Sequence, residues 1–440
     1  MSTIQEEGNG KKRIVIVGAG FAGLYTYMEL HNQFHGRDDI FITVINKSDY
    51  FLFVPMVHEV AVGNLMPGSI TQSLRVLPQC CLNDFIEAEV ESVDFDTQKI
   101  VYQASHKGYG DENTTAKKVL EYDYLVLSPG AQTNYFGVEG APEHTITLQN
   151  LNDAKQIKNT ILHRFEEAQT VSDDEKKREL LRFIVIGGGA TGVELVGEMA
   201  DIFQKELQGV YPSLYPHSSI VLVHGGAQLL SDKFPLMAKR AKNILEKKGK
   251  VEIMLSTRAT KIEKGVVWMG DKKIQGSTIV WAGGVVASSL TLVGSRDIQR
   301  NERDNRLITT RTLNLSSYPN IFALGDFAWV PQKNNEKESY PTRAQFATRE
   351  GYIAGRNIKK MIDGEAKSLE EFDWSDQGFI VSLGRGGALA KIGGIHFSGF
   401  IAWWLYRTIY LFKMFGARAK FRTAFEWTMN LFLPRDLSEL

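Results

Sequence analysis

Cysteine is almost missing from this sequence. Its 440 residues include only Cys80 and Cys81, which are adjacent. Adjacent cysteines are poor disulfide partners and no C-x-x-C pair occurs, so a dithiol redox centre is not expected. We predict that both thiols pack as small apolar side chains. Histidines and cysteines with metal-ligand spacing are also lacking, so no metal site is predicted.

The sequence has no excess of charge of either sign. Its 51 Lys and Arg balance 51 Asp and Glu, so a nucleic-acid partner is not expected. The length and a 43% apolar content suit two or three domains with large cores. The first residues are polar rather than an apolar secretory signal, which predicts a flexible tail over 1–12 and a cytosolic location or the cytosolic face of a membrane.

Long uncharged runs are missing as well. Residues 397–433 are rich in aromatic and aliphatic side chains, but Arg and Lys interrupt them before any run reaches the ~18–20 residues that span a bilayer. Residues 391–440 hold seven Lys and Arg against three Asp and Glu. This pattern predicts two helices, broken at Gly416, that lie on an anionic membrane surface. The alternative is a helix pair that packs in the core or in a dimer interface.

What the sequence does have is one glycine motif in two copies. IVIVGAGFAGL (14–24) and FIVIGGGATGV (183–193) each place G-x-G-x-x-G between a β-branched run and a helical pattern. In such loops one glycine makes the tight turn, one lets the backbone approach a pyrophosphate, and one lets the helix pack on the strand. The helix N-terminus then offers free N–H groups to the phosphates. The duplication predicts two dinucleotide sites.

The pattern around both copies is strand, loop, helix, strand. It predicts an α/β fold with two Rossmann-like, three-layer dinucleotide-binding domains of the glutathione-reductase-like type, plus C-terminal amphipathic helices. Alternating stretches near 85–125 and 259–275 predict β-ribbons. Helices are expected over the following ranges: 22–34, 151–169, 191–207, 235–248 and 342–361.

Several blocks of this sequence resemble the type II NADH dehydrogenases, single-chain NADH:quinone oxidoreductases that do not pump protons. The resemblance covers residues 13–433, in the family's order. The matching blocks are YFLFVPMVHEVAVG (50–63), LVLSPGAQTNYFGVEG (125–140), GGGATGVELVGEMAD (187–201), WAGGVVAS (281–288), IFALGDFA (321–328), PTRAQFATREG (341–351), LGRGGALA (383–390) and SGFIAWWLY (398–406).

The resemblance implies a flavoprotein of respiratory electron transport. FAD would occupy a discontinuous domain, 13–150 and 285–390, and NADH or NADPH would occupy the domain 151–284. Residues 391–440 would be the membrane-associating helices. A hydride would pass to the flavin and two electrons to a membrane quinone. It further implies a homodimer, bound peripherally to the cytoplasmic face of the inner membrane.

The resemblance also implies the site residues. Glu194 and Gln345 are the expected catalytic residues. The expected cofactor-binding residues of the flavin domain are Gly18, Gly20, Phe21, Ala22, Gly23, Asn46, Lys47, Pro129, Gly130, Gly325, Asp326, Ala344 and Gln345. Those expected to bind the nicotinamide cofactor are Gly187, Gly189, Thr191, Gly192, Glu194, His224 and Gly283.

Each role has a plainer alternative. Glu194 would lie beside nicotinamide and flavin, but an acid in a first helical turn also suits the helix dipole. Glu198, one turn on, is expected to support it. Asp326 would bind the ribityl chain or simply cap a helix. Gln345 would donate to a quinone carbonyl or merely begin a helix. Arg349 and Glu350 stand where the family often has glutamine.

Two positions depart from the usual dinucleotide pattern. The second strand of such a unit normally ends in Asp or Glu, which accepts hydrogen bonds from ribose hydroxyls. Asn46 takes this place in the first unit and His224 in the second. An amide oxygen still accepts, so FAD binding is expected to survive. His224 weakens the preference for NADH and opens the use of NADPH, or marks a chain with little nicotinamide activity.

Other functions of the same fold remain open at this point. A sulfide:quinone reductase would need well-separated cysteines, and a ferredoxin- or rubredoxin-type reductase would not need the Trp-rich basic tail. A non-catalytic flavin-binding redox sensor would explain Asn46 and His224. Arg75 matches a family arginine or makes a surface salt bridge.

Overall fold

The computed structural model describes residues 10–76, 84–104, 117–230 and 235–439. The chain divides into two compact units. The first comprises Met1–Phe51, Ser73–Gln132 and Val285–Ser375, and the second comprises Leu52–Gln72, Thr133–Gly284 and Asp376–Leu440. The C-terminal helices thus group with the second compact unit. The assignment of FAD and NADH to domains with the expected bounds stays a prediction.

The strands form two large sheets and several smaller ones. In chain order they are β1 (Lys12–Val17), β2 (Ile40–Asn46), β3 (Tyr50–Leu52), β4 (Thr71–Ser73), β5 (Asp84–Asp94), β6 (Lys99–Ala104), β7 (Lys118–Glu121), β8 (Tyr124–Leu127), β9 (Ala131–Thr133), β10 (Ile146–Thr147), β11 (Arg182–Ile186), β12 (Ser219–Val223), β13 (Val251–Met254), β14 (Lys261–Glu263), β15 (Val266–Met269), β16 (Lys272–Gln275), β17 (Thr278–Trp281), β18 (Val285–Ala287), β19 (Thr291–Val293), β20 (Leu307–Ile308), β21 (Ile321–Ala323), β22 (Ala328–Trp329), β23 (Pro331–Gln332), β24 (Asn335–Ser339), β25 (Gly378–Ser382), β26 (Ala388–Ile392) and β27 (Ile395–Ser398).

The long helices follow the predicted ranges to within a few residues. The short helices had no predicted range. They are α1 (Phe21–Phe34), α2 (Val57–Val60), α3 (Ala141–His144), α4 (Leu151–Gln169), α5 (Asp174–Leu180), α6 (Ala190–Ile202), α7 (Gln208–Val210), α8 (Pro235–Lys247), α9 (Ala344–Ile362), α10 (Phe400–Lys413) and α11 (Ala417–Phe432). The expected helix 191–207 changes to π-type hydrogen bonding over Phe203–Leu207. The expected break at Gly416 is confirmed.

A twisted sheet forms the centre of the first unit, in the order β21-β8-β1-β2-β5-β6-β7. Its first strands are parallel, and the apolar run of β1 is buried because both faces of a parallel sheet are covered. Helix α9 crosses α1 closely at Gly351, where a Cβ would lie 2.5 Å from the carbonyl oxygen of Ala22. A residue larger than glycine at 351 would push the two helices apart.

The second unit contains a five-stranded parallel sheet in the order β10-β17-β11-β12-β13. Two antiparallel three-stranded ribbons accompany it, β14-β15-β16 and β25-β26-β27. The parallel strands at the centre of both sheets confirm the predicted α/β class. Most of the predicted site residues follow the carboxyl ends of their strands, which is where open α/β sheets bind ligands.

Candidate functional site

The first cradle (Gly18–Gly23) begins directly after β1. Gly18 has a φ of 91°, and a Cβ there would collide with the carbonyl oxygen of Ser128, while a Cβ at Gly23 would collide with that of Gly18. A Cβ at Gly20, in contrast, would meet nothing within 4 Å. Gly20 is the N-cap of α1 and offers no side-chain cap, so free N–H groups face open space. The first cradle therefore fits a pyrophosphate.

The second cradle (Gly187–Gly192) repeats this geometry after β11. Gly187 has a φ of 116° and no room for a Cβ beside the carbonyl oxygen of Ala282. A Cβ at Gly192 would collide with the carbonyl oxygen of Gly187, whereas Gly189 again faces open space and leaves α6 uncapped. The chain thus carries two cradles that each fit a dinucleotide.

Asn46 and His224, which replace the usual acids, each accept a hydrogen bond from the loop of their own cradle. The Oδ1 of Asn46 accepts from the backbone N–H of Ala19 at 2.9 Å. The Nδ1 of His224 accepts from the N–H of Gly188 at 3.1 Å. The two donors, Ala19 and Gly188, occupy equivalent positions, one residue after the first glycine of each copy. Either side chain can therefore close the loop onto the second strand without a carboxylate.

Asp326 follows β21 in the first unit, in a short 3-10 turn. Burial raises the pKa of its carboxyl, and the positive charge of Arg306 opposes that rise. Its turn is held by Glu350, whose Oε2 accepts from the N–H of Gly325 at 2.6 Å. Burial also raises the pKa of Glu350 to about 7. Glu350 thus supports the turn that presents Asp326.

The remaining predicted residues of the first unit lie at strand and helix ends. Pro129 and Gly130 follow β8, and their carbonyl groups accept from Ser288 at 3.2 and 3.1 Å. Ala344 and Gln345 begin α9 and are half-buried. Lys47 pairs with Glu89 at 2.6 Å on the surface. Phe21 and Ala22 begin α1.

In the second unit, Thr191 is exposed in the first turn of α6. Gly283 follows β17, and a Cβ there would press against the Trp281 ring at 2.9 Å. The roles of these residues toward the cofactors stay predictions.

Glu194 lies in α6 and is buried. Its Oε1 accepts from the backbone N–H of Ser382 at 3.2 Å, and its Oε2 lies 3.7 Å from Nδ1 of His58. Burial raises the pKa of Glu194 well above its ordinary value and lowers that of His58 to about 3. A neutral imidazole therefore faces a carboxyl that holds its proton unusually tightly.

Glu59, beside His58 in the chain, is a functional candidate that the sequence analysis missed. Three side chains donate to its carboxylate: Tyr406 at 3.0 Å, Trp427 at 2.7 Å and Asn64 at 2.7 Å. Burial raises the pKa of Glu59 to about 7, with a further rise from the charge of Glu198. The adjacent His58 and Glu59 in the 50–63 block were the available signal, but two of the three donors to Glu59 come from the other end of the chain.

Glu198 mainly pairs with a buried cation, whereas the sequence analysis expected it to support Glu194. Its Oε2 lies 2.8 Å from Nη2 of Arg435, which is also 3.9 Å from Glu206 through its Nε. All three side chains are buried. One turn on, Asp201 pairs with Lys248 at 2.5 Å. Residues 376–440 are thus tied to α6 by buried charges and are not a detachable tail.

The C-terminal helix pair (α10 and α11) has two unlike faces. Inside, Tyr406 and Trp427 reach Glu59, and the guanidinium of Arg407 lies 3.9 Å from the centre of the Trp403 ring. Outside, large aromatic and aliphatic side chains are exposed: Phe400, Ile401, Trp404, Phe412, Phe421, Phe425, Leu431 and Phe432. Phe421 and Phe432 are 78% and 82% exposed. The inner face thus packs within the protein, and the membrane role of the exposed face stays a prediction.

Within the described residues, no helix has the length and apolar content needed to cross a membrane. Arg75 is exposed and bonds Asp49 at 3.2 Å and Glu87 at 2.8 Å, which is the surface salt bridge alternative. Cys80 and Cys81 lie outside the described residues.

Comparison with known proteins supports this geometry. The curated type II NADH:quinone oxidoreductase Ndh of Mycobacterium tuberculosis is 29% identical over 438 residues, which cover 97% of this chain and 89% of the relative. The solved structure of NDH2 from Plasmodium falciparum in complex with NADH matches with a TM-score of 0.86 at 20% identity, over 97% of this chain and 100% of that chain. The relatives confirm the resemblance found in the sequence.

A less similar fold neighbour is the sulfide:quinone oxidoreductase of Aquifex aeolicus, with a TM-score of 0.68 at 18% identity over 96% of this chain and 91% of that chain. Residues 12–351 match the family model described as pyridine nucleotide-disulphide oxidoreductase. This chain therefore belongs to the pyridine nucleotide-disulphide oxidoreductase family.

Proposed function

We propose that this chain is an NADH:quinone oxidoreductase of the type that does not pump protons. It binds FAD and NADH, takes a hydride from NADH, and delivers two electrons to a quinone. The observation that carries this function is the pair of cradles, because a chain that binds both a flavin and a nicotinamide dinucleotide can join their chemistries. Relatives that cover nearly the whole chain bear this name.

The residues present fit both dinucleotides. Gly18–Gly23, Asn46 and Asp326 would hold FAD, which supplies the two-electron acceptor that stores a hydride until a quinone arrives. Gly187–Gly192 would hold the pyrophosphate of NADH. The protein contributes alignment and exclusion of water rather than covalent chemistry.

Quinone reduction also needs protons. NADH, one proton and a quinone give NAD⁺ and a quinol, so one proton must come from outside the donor. The side chains of Glu194, His58, Tyr406 and Glu59 lie in a row in the second unit, and the step between Glu194 and His58 is longer than a hydrogen bond. His58 Nδ1 lies 3.7 Å from Glu194, its Nε2 lies 3.4 Å from the Tyr406 hydroxyl, and that hydroxyl donates to Glu59 at 3.0 Å.

These groups suit proton transfer because both ends hold protons near neutral pH. The raised pKa values of Glu194 and Glu59 keep their carboxyl groups protonated at a pH where ordinary carboxyls have ionised. The imidazole between them is neutral and can accept on one nitrogen while it donates from the other. We assign Glu194 the proton-donating end and Glu59 the end that is refilled.

Replacing Tyr406 tests this path. Tyr406→Phe removes one hydroxyl and should slow quinone-dependent turnover about tenfold or more, while flavin reduction by NADH stays unchanged. Tyr410→Phe is the matched control, because Tyr410 packs on Tyr406 with ring centres 4.5 Å apart. Equal turnover of the two variants, or an equal loss in both half-reactions, would contradict the path.

The exposed face of the C-terminal helix pair gives the enzyme access to a lipid-dissolved quinone. Its aromatic side chains and the cations of Arg418 and Lys420 fit an anionic lipid surface. We infer peripheral membrane binding from this surface, and the cytoplasmic face of the inner membrane is expected from the resemblance alone. The homodimer expected from the resemblance stays a prediction.

Vesicle flotation tests the lipid surface. Phe412→Asp combined with Phe421→Asp should reduce binding to anionic vesicles by roughly tenfold or more, since each change removes an apolar anchor and adds a negative charge. Val210→Asp, which alters an exposed apolar residue of α7, should leave binding unchanged. Undiminished flotation of the double variant would overturn the assignment.

Anaerobic mixing with NADH tests the function as a whole. Flavin absorbance near ~450 nm should bleach rapidly and return when a quinone analogue is added. Gly189→Asp places a carboxylate where the pyrophosphate would lie and should abolish bleaching, whereas Gly209→Asp, at an exposed glycine with similar open space, should not. A bound flavin that no nicotinamide donor bleaches would leave the redox sensor instead.

A further inference from the structure

Helix α9 carries a buried carboxyl group close to the first cradle. Glu350 is 4% exposed, and its Oε2 accepts from the backbone N–H of Gly325 at 2.6 Å. A Cβ at Gly325 would lie 3.4 Å from the Cβ of Ala22, and a Cβ at Gly351 would lie 2.5 Å from the Ala22 carbonyl oxygen. Because Ala22 belongs to the first cradle, Glu350, the turn it holds and the cradle form one packed cluster within the first unit.

Negative groups outnumber positive ones in this cluster. Burial, with the charge of Asp326, raises the pKa of Glu350 to about 7, against the bond from Gly325 and the charge of Arg306. Arg306 already has a partner, because its Nε donates to Asp304 at 2.8 Å. Ionised Glu350 would therefore make three carboxylates for one guanidinium. A buried charge without a counter-ion of its own is unfavourable, so this carboxyl is easily kept neutral.

The charge of Glu350 depends on few neighbours. The other titratable groups where α9 packs have partners of their own, namely Glu29 and Glu370 with Arg356, Tyr25 with Tyr352, and Arg349 with the Trp374 ring. The pKa of Glu350 responds instead to Asp326 and Arg306. A ligand that brings charge to the first cradle would be a third influence, because the cradle packs on the same turn.

We infer that Glu350 is a positioning residue for FAD whose charge competes with that of the cofactor, so that FAD binding and a proton on this carboxyl support each other. The inference rests on the proposed function, in which FAD occupies the first cradle. A pyrophosphate adds two negative charges to a cluster that already has a surplus. Its arrival therefore favours the neutral carboxyl, which takes a proton from solvent near neutral pH. The neutral group keeps an acceptor oxygen for Gly325, so the turn is held in either state.

Retention of FAD at different pH values tests this coupling. After dilution of the holoenzyme, the fluorescence of released FAD gives a dissociation constant, which should rise about fivefold between pH 6 and pH 8 if bound FAD raises the carboxyl pKa by about one. Glu350→Gln keeps an acceptor oxygen but cannot ionise, so its dissociation constant should change less than about twofold over this range. Glu336→Gln, at an exposed acid of the same unit, should follow the parent chain.

Two further readouts separate charge from structural support. Glu350→Ala removes the acceptor and should weaken FAD retention at both pH values, whereas Glu350→Gln should retain FAD at pH 8 as well as the parent chain does at pH 6. In infrared spectra of the holoenzyme at pH 7, Glu350→Gln should lose part of the carbonyl band that protonated carboxyl groups give. Glu336→Gln should keep this band.

The outcomes distinguish this inference from the proposed function. A holoenzyme that NADH bleaches, but that retains FAD equally at pH 6 and pH 8, would overturn the inference while the proposed function stands. An equal pH dependence in the parent chain and in Glu350→Gln would overturn it as well. If the pH dependence is present and is lost in Glu350→Gln, but NADH does not bleach the flavin, the inference stands and the proposed function fails.

Discussion

In the first cradle the atom that accepts from the loop is an amide oxygen of Asn46, and in the second it is a ring nitrogen of His224. Both bonds run to the residue after the first glycine, and both cradles present an uncapped helix to open space. The loop backbone is therefore duplicated while its side chains are not. Phosphate binding depends on backbone N–H groups, so it tolerates this divergence.

The helices that leave the cradles differ more. At the two positions where α6 carries Glu194 and Glu198, α1 carries Tyr25 and Glu29. Glu29 is also buried, but it accepts from its own helical neighbour Gln33 at 2.8 Å and lies 3.8 Å from Arg356. Glu194 lies instead beside His58, and Glu198 beside Arg435. The comparison teaches that the two copies share a loop that fits a pyrophosphate, while the helix of the second copy also carries Glu194, which we propose for proton transfer.

The largest expected effect separates the two cradles directly. Gly18→Ala should yield a chain without FAD, because the new Cβ collides with Ser128 and φ is unfavourable. Gly187→Ala should retain FAD but lose more than a hundredfold in its reduction by NADH. Flavin content after gel filtration and anaerobic bleaching measure the two effects.

Controls for backbone strain are available in each unit. Gly36 and Gly249 also have positive φ but open space around a Cβ, so Gly36→Ala and Gly249→Ala report strain without collision. Both should keep flavin and its reduction. If Gly187→Ala lost FAD as completely as Gly18→Ala, the division of cofactors between the cradles would be wrong.

The next effect concerns the buried charge pairs of Glu198 and Glu206 with Arg435. Arg435→Met would leave Glu198 and Glu206 buried without their cation, which costs about 3–5 kcal/mol of unfolding free energy. We expect Tm to fall by about 10 °C in a thermal melt. Arg418→Met, an exposed control, should change Tm by less than about 2 °C. An unchanged Tm for Arg435→Met would show that these acids need no counter-charge.

This contact also shows where prediction from sequence ends. The cradles were predictable because local spacing encodes them: glycines at fixed offsets, a buried strand before and a helix after. Arg435 and Tyr406 were not, because their partners Glu198 and Glu59 lie hundreds of residues away in the chain. The basic tail was interpreted as a membrane segment from composition, but composition did not show that one of its faces packs against Glu59.

Asn46 and His224 show the same limit of prediction from sequence within a single loop. The sequence indicated that Asn46 and His224 replace ribose-binding acids, but only the structure shows that both instead accept from their own loop. Similarly, Glu350 was noted merely as a departure from the family, and its bond to Gly325 became visible only when α9 was placed against the turn.

The third prediction concerns pH and Glu59. Its folded pKa of about 7 exceeds the ordinary carboxyl value, so the folded state binds more protons than the unfolded state between about pH 4.5 and 7. This contribution to stability is complete below about pH 4.5 and is lost as the pH rises through 7. Its full size is roughly 2–4 kcal/mol.

Glu59→Gln mimics the protonated carboxyl at every pH, so it should gain stability relative to the parent as the pH rises from 5 to 8. Urea unfolding at several pH values measures this difference. Glu121→Gln, at an exposed residue, provides the baseline. A stability difference that does not vary with pH would mean that Glu59 ionises as an ordinary surface carboxyl does.

The smallest expected effect returns to Asn46. Asn46→Ala removes the acceptor for the N–H of Ala19, worth about 1 kcal/mol, and should weaken FAD retention roughly fivefold. Asn46→Asp keeps an oxygen at that position and should hold FAD at least as well as the parent chain. FAD dissociation constants from fluorescence titration distinguish these outcomes. If alanine and aspartate at 46 bind FAD equally, the loop bond contributes nothing, and the glycine backbone alone determines binding in the first cradle.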